Sequence, residues 1–317
     1  MTTKLQHTSG LILSGDGARC GLHESAHPRA AQRGELVRVR RGVYCDSQEW
    51  QALTPRDRHV LRMRAVAASG SQRLVFCGYS AAAVWGMPVA GPWPENVHIV
   101  ASSSLKQRSR YGVVRHPVAD TVDRVVERDG LFVTDVARTA LDLVLASPFA
   151  HAVGSADWAL WRNNSLRVGK AEIQGELERV NPRYRRRHAE AVLEFATDLS
   201  DSFGESLARG VMRELGFETP ELQVVFGDRA GDMIVDYYWP SVNVAGEFDG
   251  KSKYLRPSFQ VELDPGERVW REKKREDRLR RQVAGVVRII WSDLSHGADL
   301  ARLLTEAGIP RRGDARR

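Results

Sequence analysis

Three carboxylates in the last third of the chain have the type and spacing for metal-dependent chemistry. Asp236 lies in a run that predicts a strand, Glu247 lies near the end of the next predicted strand, and Asp249 follows two residues later. Residues two apart share a face of an extended segment, so Glu247 and Asp249 should lie together. If the two strands form a hairpin, Asp236 and Glu247 converge near one end of a sheet. Carboxylates placed in this way would hold Mg²⁺ or Mn²⁺, which could orient a water and polarise a phosphodiester. The alternative is a group of solvated acids at a strand end.

Lysines cluster in the same region, although the chain holds only seven of them. Four lie after the acidic pair or on the next predicted helix: Lys251, Lys253, Lys273 and Lys274. A lysine beside the acids would offset the negative charge that develops during phosphodiester hydrolysis, and Lys251 and Lys274 are the candidates.

Glu205 is a fourth acidic candidate, and its surroundings allow two interpretations. The sequence Ser202-Phe-Gly-Glu205 matches a helix capping box, in which the glutamate satisfies backbone N–H groups at the start of a helix. The other interpretation places its carboxylate beside the three acids.

Basic charge is concentrated at the front of the chain. Lys and Arg exceed Asp and Glu by seven over the whole chain (47 against 40) and by five within residues 1–64 (11 against 6). A short Arg-bearing helix over 24–33 and a basic hairpin over 35–44 are typical of a winged helix-turn-helix that binds duplex DNA. The candidate DNA contacts are Arg29, Arg33, Arg38, Arg40 and Arg41. The alternative is a solvated hairpin on a small domain.

The elements that must position the acids are predicted from apolar periodicity and from Gly and Pro. Their order in the C-terminal third is α-β-β-β-α-β, followed by a last helix. The ranges are 203–215, 222–226, 233–239, 242–248, 265–284, 286–291 and 298–307. The middle of the chain mixes strands with helices, one helix starting at a Ser80 cap and another at Thr134 or Asp135.

The whole chain therefore predicts a mixed α/β protein. We expect a winged-helix domain over 1–64, an α+β domain over 65–161, a helical linker over 162–200 and a domain that carries the candidate acids over 201–310. A basic tail over 311–317 would follow.

Composition excludes several classes of protein. With 42% hydrophobic and 27% charged residues the chain should fold, and its apolar runs are too short to span a bilayer. Three scattered cysteines form neither a disulfide framework nor a zinc site. The start of the chain lacks a secretory apolar region. We expect a cytoplasmic protein, associated with the nucleoid when it binds DNA, with no membrane partner and no nucleotide cofactor.

The C-terminal third resembles the PD-(D/E)xK nuclease superfamily, closest to its Vsr-like branch. The strings that carry the resemblance are 203–209, 215–223, 234–240, 246–250, 271–279 and 287–291. It implies a restriction-endonuclease-like core with Asp236 and Glu247 as metal ligands, Asp249 beside them and Glu205 as a first-helix acid. It also implies that Gln223 and Lys274 line the site. The sequence departs from the family where Asp249 occupies the position of the usual lysine.

The front of the chain is similar to the AbiEi-type antitoxin family, over about residues 10–160. The matching strings are 33–44, 78–88 and 133–143. This resemblance implies a winged helix joined to an α/β domain, repression of the protein's own promoter and a toxin protein as partner.

From these observations we expect the chain to be a DNA-binding protein with a metal-dependent endonuclease-like domain. The alternative is a non-catalytic antitoxin and repressor of a type IV toxin–antitoxin system, in which the nuclease fold is a scaffold. A nuclease acting on RNA is a third hypothesis.

Overall fold

The structure of the protein is a computed structural model that describes residues 10–14, 26–70, 73–102, 109–118, 124–250, 265–295 and 297–312. The chain divides into two compact units. The first unit comprises Met1–Leu143 with Ala171–Asn181, and the second comprises Val144–Lys170 with Pro182–Arg317. Twelve helices and twelve strands lie within the described ranges, which confirms the predicted mixed α/β class. None of these helices is long and apolar enough to cross a membrane.

The first unit begins with a small antiparallel sheet in the order β1-β3-β2. Its elements are β1 (Ile12–Leu13), α1 (Ala26–Gln32), β2 (Leu36–Arg40), β3 (Val43–Asp46), α2 (Ser47–Ala52) and α3 (Pro55–Ala68). The predicted helix and hairpin are both present. The hairpin turns at Arg41 and Gly42, and the φ of +76° at Gly42 is one that glycine adopts without strain.

A second sheet in the first unit has the order β6-β5-β4-β8-β7. Its elements are β4 (Val75–Phe76), α4 (Gly78–Trp85), β5 (Val97–Ser102), β6 (Val113–Val118), β7 (Val125–Arg128), β8 (Leu131–Thr134) and α5 (Val136–Ala146). Asp135 caps α5 by accepting the N–H of Arg138 at 2.8 Å, as one of the two predicted caps.

The predicted cap at Ser80 is wrong. Helix α4 begins at Gly78, and Ser80 is fully buried within its first turn. The Ser80 hydroxyl lies 2.9 Å from His59 Nε2 and accepts the backbone N–H of His98 at 2.8 Å. The Ser80 hydroxyl therefore links α4 to α3 and β5 instead of capping the start of α4.

The second unit contains a four-stranded sheet in the order β12-β11-β10-β9, with only the β11–β12 pair parallel. The remaining elements of the chain are α6 (Phe149–Leu160), α7 (Lys170–Val180), α8 (Arg186–Phe195), α9 (Phe203–Glu214), β9 (Glu221–Asp228), β10 (Gly231–Trp239), β11 (Val244–Asp249), α10 (Pro265–Arg280), β12 (Gly285–Ile290), α11 (Trp291–Ser295) and α12 (Gly297–Glu306). Every predicted helix and strand of the C-terminal third is present in the predicted order. Within the predicted linker, α7 falls almost wholly in the first unit and α8 in the second.

The sheet of the second unit has a core cluster on each face. Tyr237, Trp239 and Phe248 belong to one cluster, whereas Val235 and Ala245 belong to the other. Residues two apart normally share a face, so the side chains of β10 change face at the residue between Val235 and Tyr237, which is Asp236. Strand β10 is irregular where it carries this candidate acid.

Helix α9 packs closely on α6. An ion pair between Arg209 Nη2 and Asp157 Oδ2, 2.7 Å long, is buried between them. A Cβ added to Gly210 would lie 2.6 Å from the Cα of Ala150, so only glycine allows the backbones to approach this closely. These contacts fix the helix that carries Glu205.

Candidate functional site

Asp236 reaches from β10 to the strand that carries Glu247. Its Oδ2 accepts the backbone N–H of Phe248 at 2.8 Å. Tyr237 pairs with Gly246 in the β10–β11 register, so Asp236 is also level with Glu247 in the antiparallel ladder. The structure therefore holds Asp236 beside the backbone next to Glu247.

Glu247 has a cationic partner that sequence reasoning did not identify. Its Oε1 lies 2.7 Å from Nη1 of Arg275 on α10, and the Glu247 side chain is only 13% exposed. This oxygen is buried and accepts no well-aligned hydrogen bond from the described residues. The Arg275 guanidinium also donates to the carbonyl of Ile234 at 2.7 Å, which ties α10 to β10.

Asp249 lies in a network of charged residues beside β12. Arg288 Nη1 is 3.8 Å from Asp249 Oδ2, and Arg288 Nη2 is 3.0 Å from Glu276 Oε2 on α10. Glu276 also pairs with Arg280 at 2.7 Å. The hydrogen bond from Arg280 is the main cause that lowers the pKa of Glu276, and Arg288 adds to it. Glu247 thus faces an arginine of α10, and Asp249 faces an arginine of β12 that also pairs with Glu276 of α10.

Glu205 caps its own helix. Its Oε1 accepts the hydroxyl of Ser202 at 2.8 Å, its Oε2 accepts the N–H of Asp201 at 2.9 Å, and its own N–H donates to Ser202. The capping interpretation is therefore confirmed. The amide of Gln223 on β9 also lies 3.4 Å from Glu205 Oε2.

Glu205 and Asp236 nevertheless both lie close to Tyr237. The Tyr237 hydroxyl donates to the backbone carbonyl of Glu205 at 2.8 Å. The pKa of Tyr237 is raised well above its usual value, first by burial and then by the charges of Glu205 and Asp236. Gln223 is level with Asp236, because its neighbours in β9 pair with the residues on either side of Asp236. Gln223 thus contacts Glu205 and is level with Asp236 in the sheet.

Of the two lysine candidates, Lys274 lies within the described residues and Lys251 does not. The ammonium of Lys274 lies 3.4 Å from the ring centroid of Trp270 on the exposed side of α10. Arg275 precedes the buried Leu279 by four residues, so helical spacing already placed it on the face that packs against the sheet. That spacing was the signal available in the sequence.

The donor set fits a Mg²⁺ or Mn²⁺ ion in part. Asp236 and Glu247 offer carboxylate oxygens from adjacent strands, and the buried Oε1 of Glu247 lacks a hydrogen bond. Among the residues that the structure describes, no group of three or more His, Cys, Asp or Glu side chains is arranged to hold a metal ion. Waters or substrate oxygens would have to complete the coordination, which is usual for Mg²⁺.

The five arginines predicted to contact DNA fall into three situations. Arg29, Arg38 and Arg41 are exposed. Arg33 is exposed and forms two hydrogen bonds to Glu35, at 2.6 and 2.9 Å. Arg40 is half-buried and lines a cavity instead of the free face of the hairpin.

Comparison with known proteins identifies relatives but no activity. No protein-family model matches the chain. Two proteins of Mycobacterium tuberculosis, named uncharacterized protein MT2308 and uncharacterized protein Rv2248, are each 28% identical to the chain over 229 residues. The match covers 72% of this chain and 78% of each relative. The crystal structure of the RV2827C protein from the same organism matches with 14% identity and a TM-score of 0.39, over 72% of this chain and 89% of that one.

Proposed function

We propose that the chain is a DNA-binding protein whose second unit is a metal-dependent endonuclease-like module. The observation that carries the proposal is the hydrogen bond from Phe248 N–H to Asp236 Oδ2 at 2.8 Å. It holds one candidate ligand beside the backbone of the other, Glu247, within a domain whose elements run α-β-β-β-α-β. The same order of elements and the same acids underlie the resemblance to the PD-(D/E)xK nucleases.

The residues of the site have separate roles in this proposal. Asp236 and Glu247 would hold Mg²⁺ or Mn²⁺, which when bound supplies Lewis-acid chemistry to a phosphodiester. Asp249 stays beside them, and Gln223 orients Glu205. Arg275 takes the part expected of a lysine, because its guanidinium already lies 2.7 Å from Glu247 and can offset negative charge on a bound phosphate.

DNA binding is assigned to the first unit. Arg29, Arg38 and Arg41 are exposed on a helix and hairpin whose order is that of a winged helix. Arg33 can join them, because its pair with Glu35 is more than half exposed on both sides and contributes little free energy. These side chains would contact phosphates, and the resemblance to AbiEi-type antitoxins points the same way.

A specific observation favours the second candidate function, a non-catalytic antitoxin and repressor. Each candidate acid that the structure describes has a protein partner: Asp236 has the Phe248 N–H, Glu247 has Arg275, Asp249 has Arg288, and Glu205 has its helix start. In this account the acids stabilise a scaffold, and the second unit would bind a toxin protein.

A cleavage assay separates the two functions. Supercoiled plasmid is incubated with Mg²⁺ or Mn²⁺ and with the wild type, Glu247→Gln or Asp236→Asn. The matched control is Asp228→Asn, which removes another acid that pairs with an arginine of α10, Arg278 at 2.5 Å. We expect metal-dependent cutting by the wild type and the control but not by the two site variants. An intact plasmid with all four proteins, together with normal DNA binding, would support the repressor, and cutting of a labelled RNA alone would support an RNA nuclease.

DNA binding is tested by its salt dependence. We expect Arg38→Ala and Arg41→Ala each to weaken duplex binding and to reduce the slope of log affinity against log salt by about 0.9 for each phosphate that the variant no longer neutralises. Arg302→Ala removes an exposed arginine of the second unit and should leave both quantities unchanged. Equal effects of all three variants would refute the assignment to the hairpin.

A further inference from the structure

A β-bulge turns Arg40 away from the exposed face of the hairpin. In the β2–β3 ladder Arg38 pairs with Tyr44 and Arg40 pairs with Val43, so two residues of β2 span one step of β3. In a regular strand Arg38 and Arg40 would share a face. Bulges re-aim side chains and are common beside functional sites. Here Arg38 is exposed while Arg40 is half-buried.

Arg40 points into a cavity of about 300 Å³ within the first unit. The cavity lies between β2, the end of α3 and the strands β5 and β6. Its lining includes Arg40, Arg115, Ser69, Val66, Leu74 and Ile99. Its lining therefore combines two arginines with apolar residues, and the Ser69 hydroxyl already donates to the carbonyl of Ala65 at 2.6 Å.

The guanidinium of Arg40 is not fully hydrogen-bonded within the described residues. The Arg40 Nη1 atom is buried and donates no hydrogen bond to any described residue. Burial first, and the charge of Arg115 second, lower the pKa of Arg40 below its usual value. None of the described lining residues is an acid. A buried donor without an acceptor and a like-charged neighbour both raise the free energy of the folded state, and a bound anion would relieve both.

We propose that this cavity binds a small organic oxyanion, with a phosphate or carboxylate group on an apolar body. The planar guanidinium of Arg40 suits paired hydrogen bonds to either group, Arg115 adds a second positive charge, and Val66, Leu74 and Ile99 contact the apolar body. The volume lies at the small end of the usual range for ligand pockets, about 300–1,000 Å³. The anion could also be a phosphate of duplex DNA, so the test must distinguish the two sources.

The full-length protein is titrated with phenyl phosphate, with inorganic phosphate and with a short duplex, by calorimetry. The variants are Arg40→Gln and Arg115→Gln, and Arg38→Gln is the control because it removes the same charge two residues away on the exposed face. We expect saturable binding of phenyl phosphate, weaker binding of inorganic phosphate, and a loss of about tenfold or more in Arg40→Gln and Arg115→Gln but not in the control. Arg38→Gln should instead weaken duplex binding.

Three results would overturn the proposal. The first is the lack of saturable phenyl phosphate binding by the wild type, and the second is equal binding by Arg40→Gln. The third is displacement of phenyl phosphate by duplex, with Arg40→Gln lowering duplex affinity as much as Arg38→Gln does, because the cavity would then take a DNA phosphate. Thermal unfolding without ligand checks the variants: removing the unbalanced charge should leave Arg40→Gln at least as stable as the wild type. The phenyl phosphate titration needs no DNA, so its failure would leave the DNA-binding proposal standing.

Discussion

Replacing Gly210 with alanine should push two packed helices of the second unit apart. The new Cβ would lie 2.6 Å from the Cα, 2.9 Å from the Cβ and 3.2 Å from the carbonyl oxygen of Ala150. Carbon atoms in contact normally lie about 3.5–4.0 Å apart. The obstacle is backbone of α6, which no side-chain rotation can remove, so α6 and α9 must separate by about 1 Å.

The expected change in the free energy of unfolding is the difference between an overpacking cost and a gain in helix propensity. Overpacking of a close contact costs about 1–3 kcal/mol, and a backbone obstacle places this site near the upper end. Replacing glycine with alanine within a helix stabilises the helix by about 1 kcal/mol. The net effect should be a loss of about 2 kcal/mol, or about 4–8 °C in the Tm of a unit of this size.

Gly175→Ala, in a helix of the first unit, is the control for helix propensity. Gly175 lies in the exposed interior of α7, where an added Cβ meets nothing within 4 Å. The free energy of unfolding of this variant should rise by up to about 1 kcal/mol, from helix propensity alone. Both changes are followed by calorimetric unfolding, with duplex affinity as a check that the first unit is intact. If the second unit of Gly210→Ala were as stable as that of the wild type, the close approach of α6 and α9 would be refuted.

Three further perturbations have defined outcomes. Asp157→Asn leaves Arg209 buried without its counter-charge and should cost about 3–5 kcal/mol, measured by urea unfolding; a loss below about 1 kcal/mol would contradict the buried ion pair. Arg275→Gln frees Glu247 and should strengthen Mn²⁺ binding by about 1 kcal/mol in a calorimetric titration, whereas unchanged or weaker binding would count against Glu247 as a ligand. The pKa of His98 is lowered from 6.5 to about 4, chiefly by burial, so the unfolded chain binds more protons between these values and stability should fall as pH falls through that window. His98→Gln should reduce this loss, and an identical pH dependence in both proteins would refute the burial of the imidazole.

The order of elements in the second unit was predictable because its signals are local. Gly216 follows α9 with a φ of +80°, and Pro265 begins α10 at a position where no backbone hydrogen bond is lost. The alternation of apolar residues marked β10 and β11, and the spacing of Glu247 and Asp249 placed both on one face. The capping box at Ser202 was likewise visible in the sequence.

The partners of the candidate side chains depend on contacts that are distant in sequence. Helical spacing marked Arg275 as facing the sheet, but its pairing with Glu247 requires the packing of α10 across β11. The bulge that turns Arg40 inward depends on the register with β3, which the alternating pattern of β2 does not encode. Ser80 was predicted to cap a helix because serine is common at the residue that precedes a helix. Its hydroxyl instead bonds to residues of α3 and β5.

Direct titration with Mn²⁺, read by the loss of its free-ion electron paramagnetic resonance signal, tests the claim that Asp236 and Glu247 are metal ligands. The account predicts saturable binding by the wild type and by Asp228→Asn, and weakening by about tenfold or more in Asp236→Asn and Glu247→Gln, since each loses a charged ligand. Equal binding by all four proteins, or no saturable binding by the wild type, would contradict it.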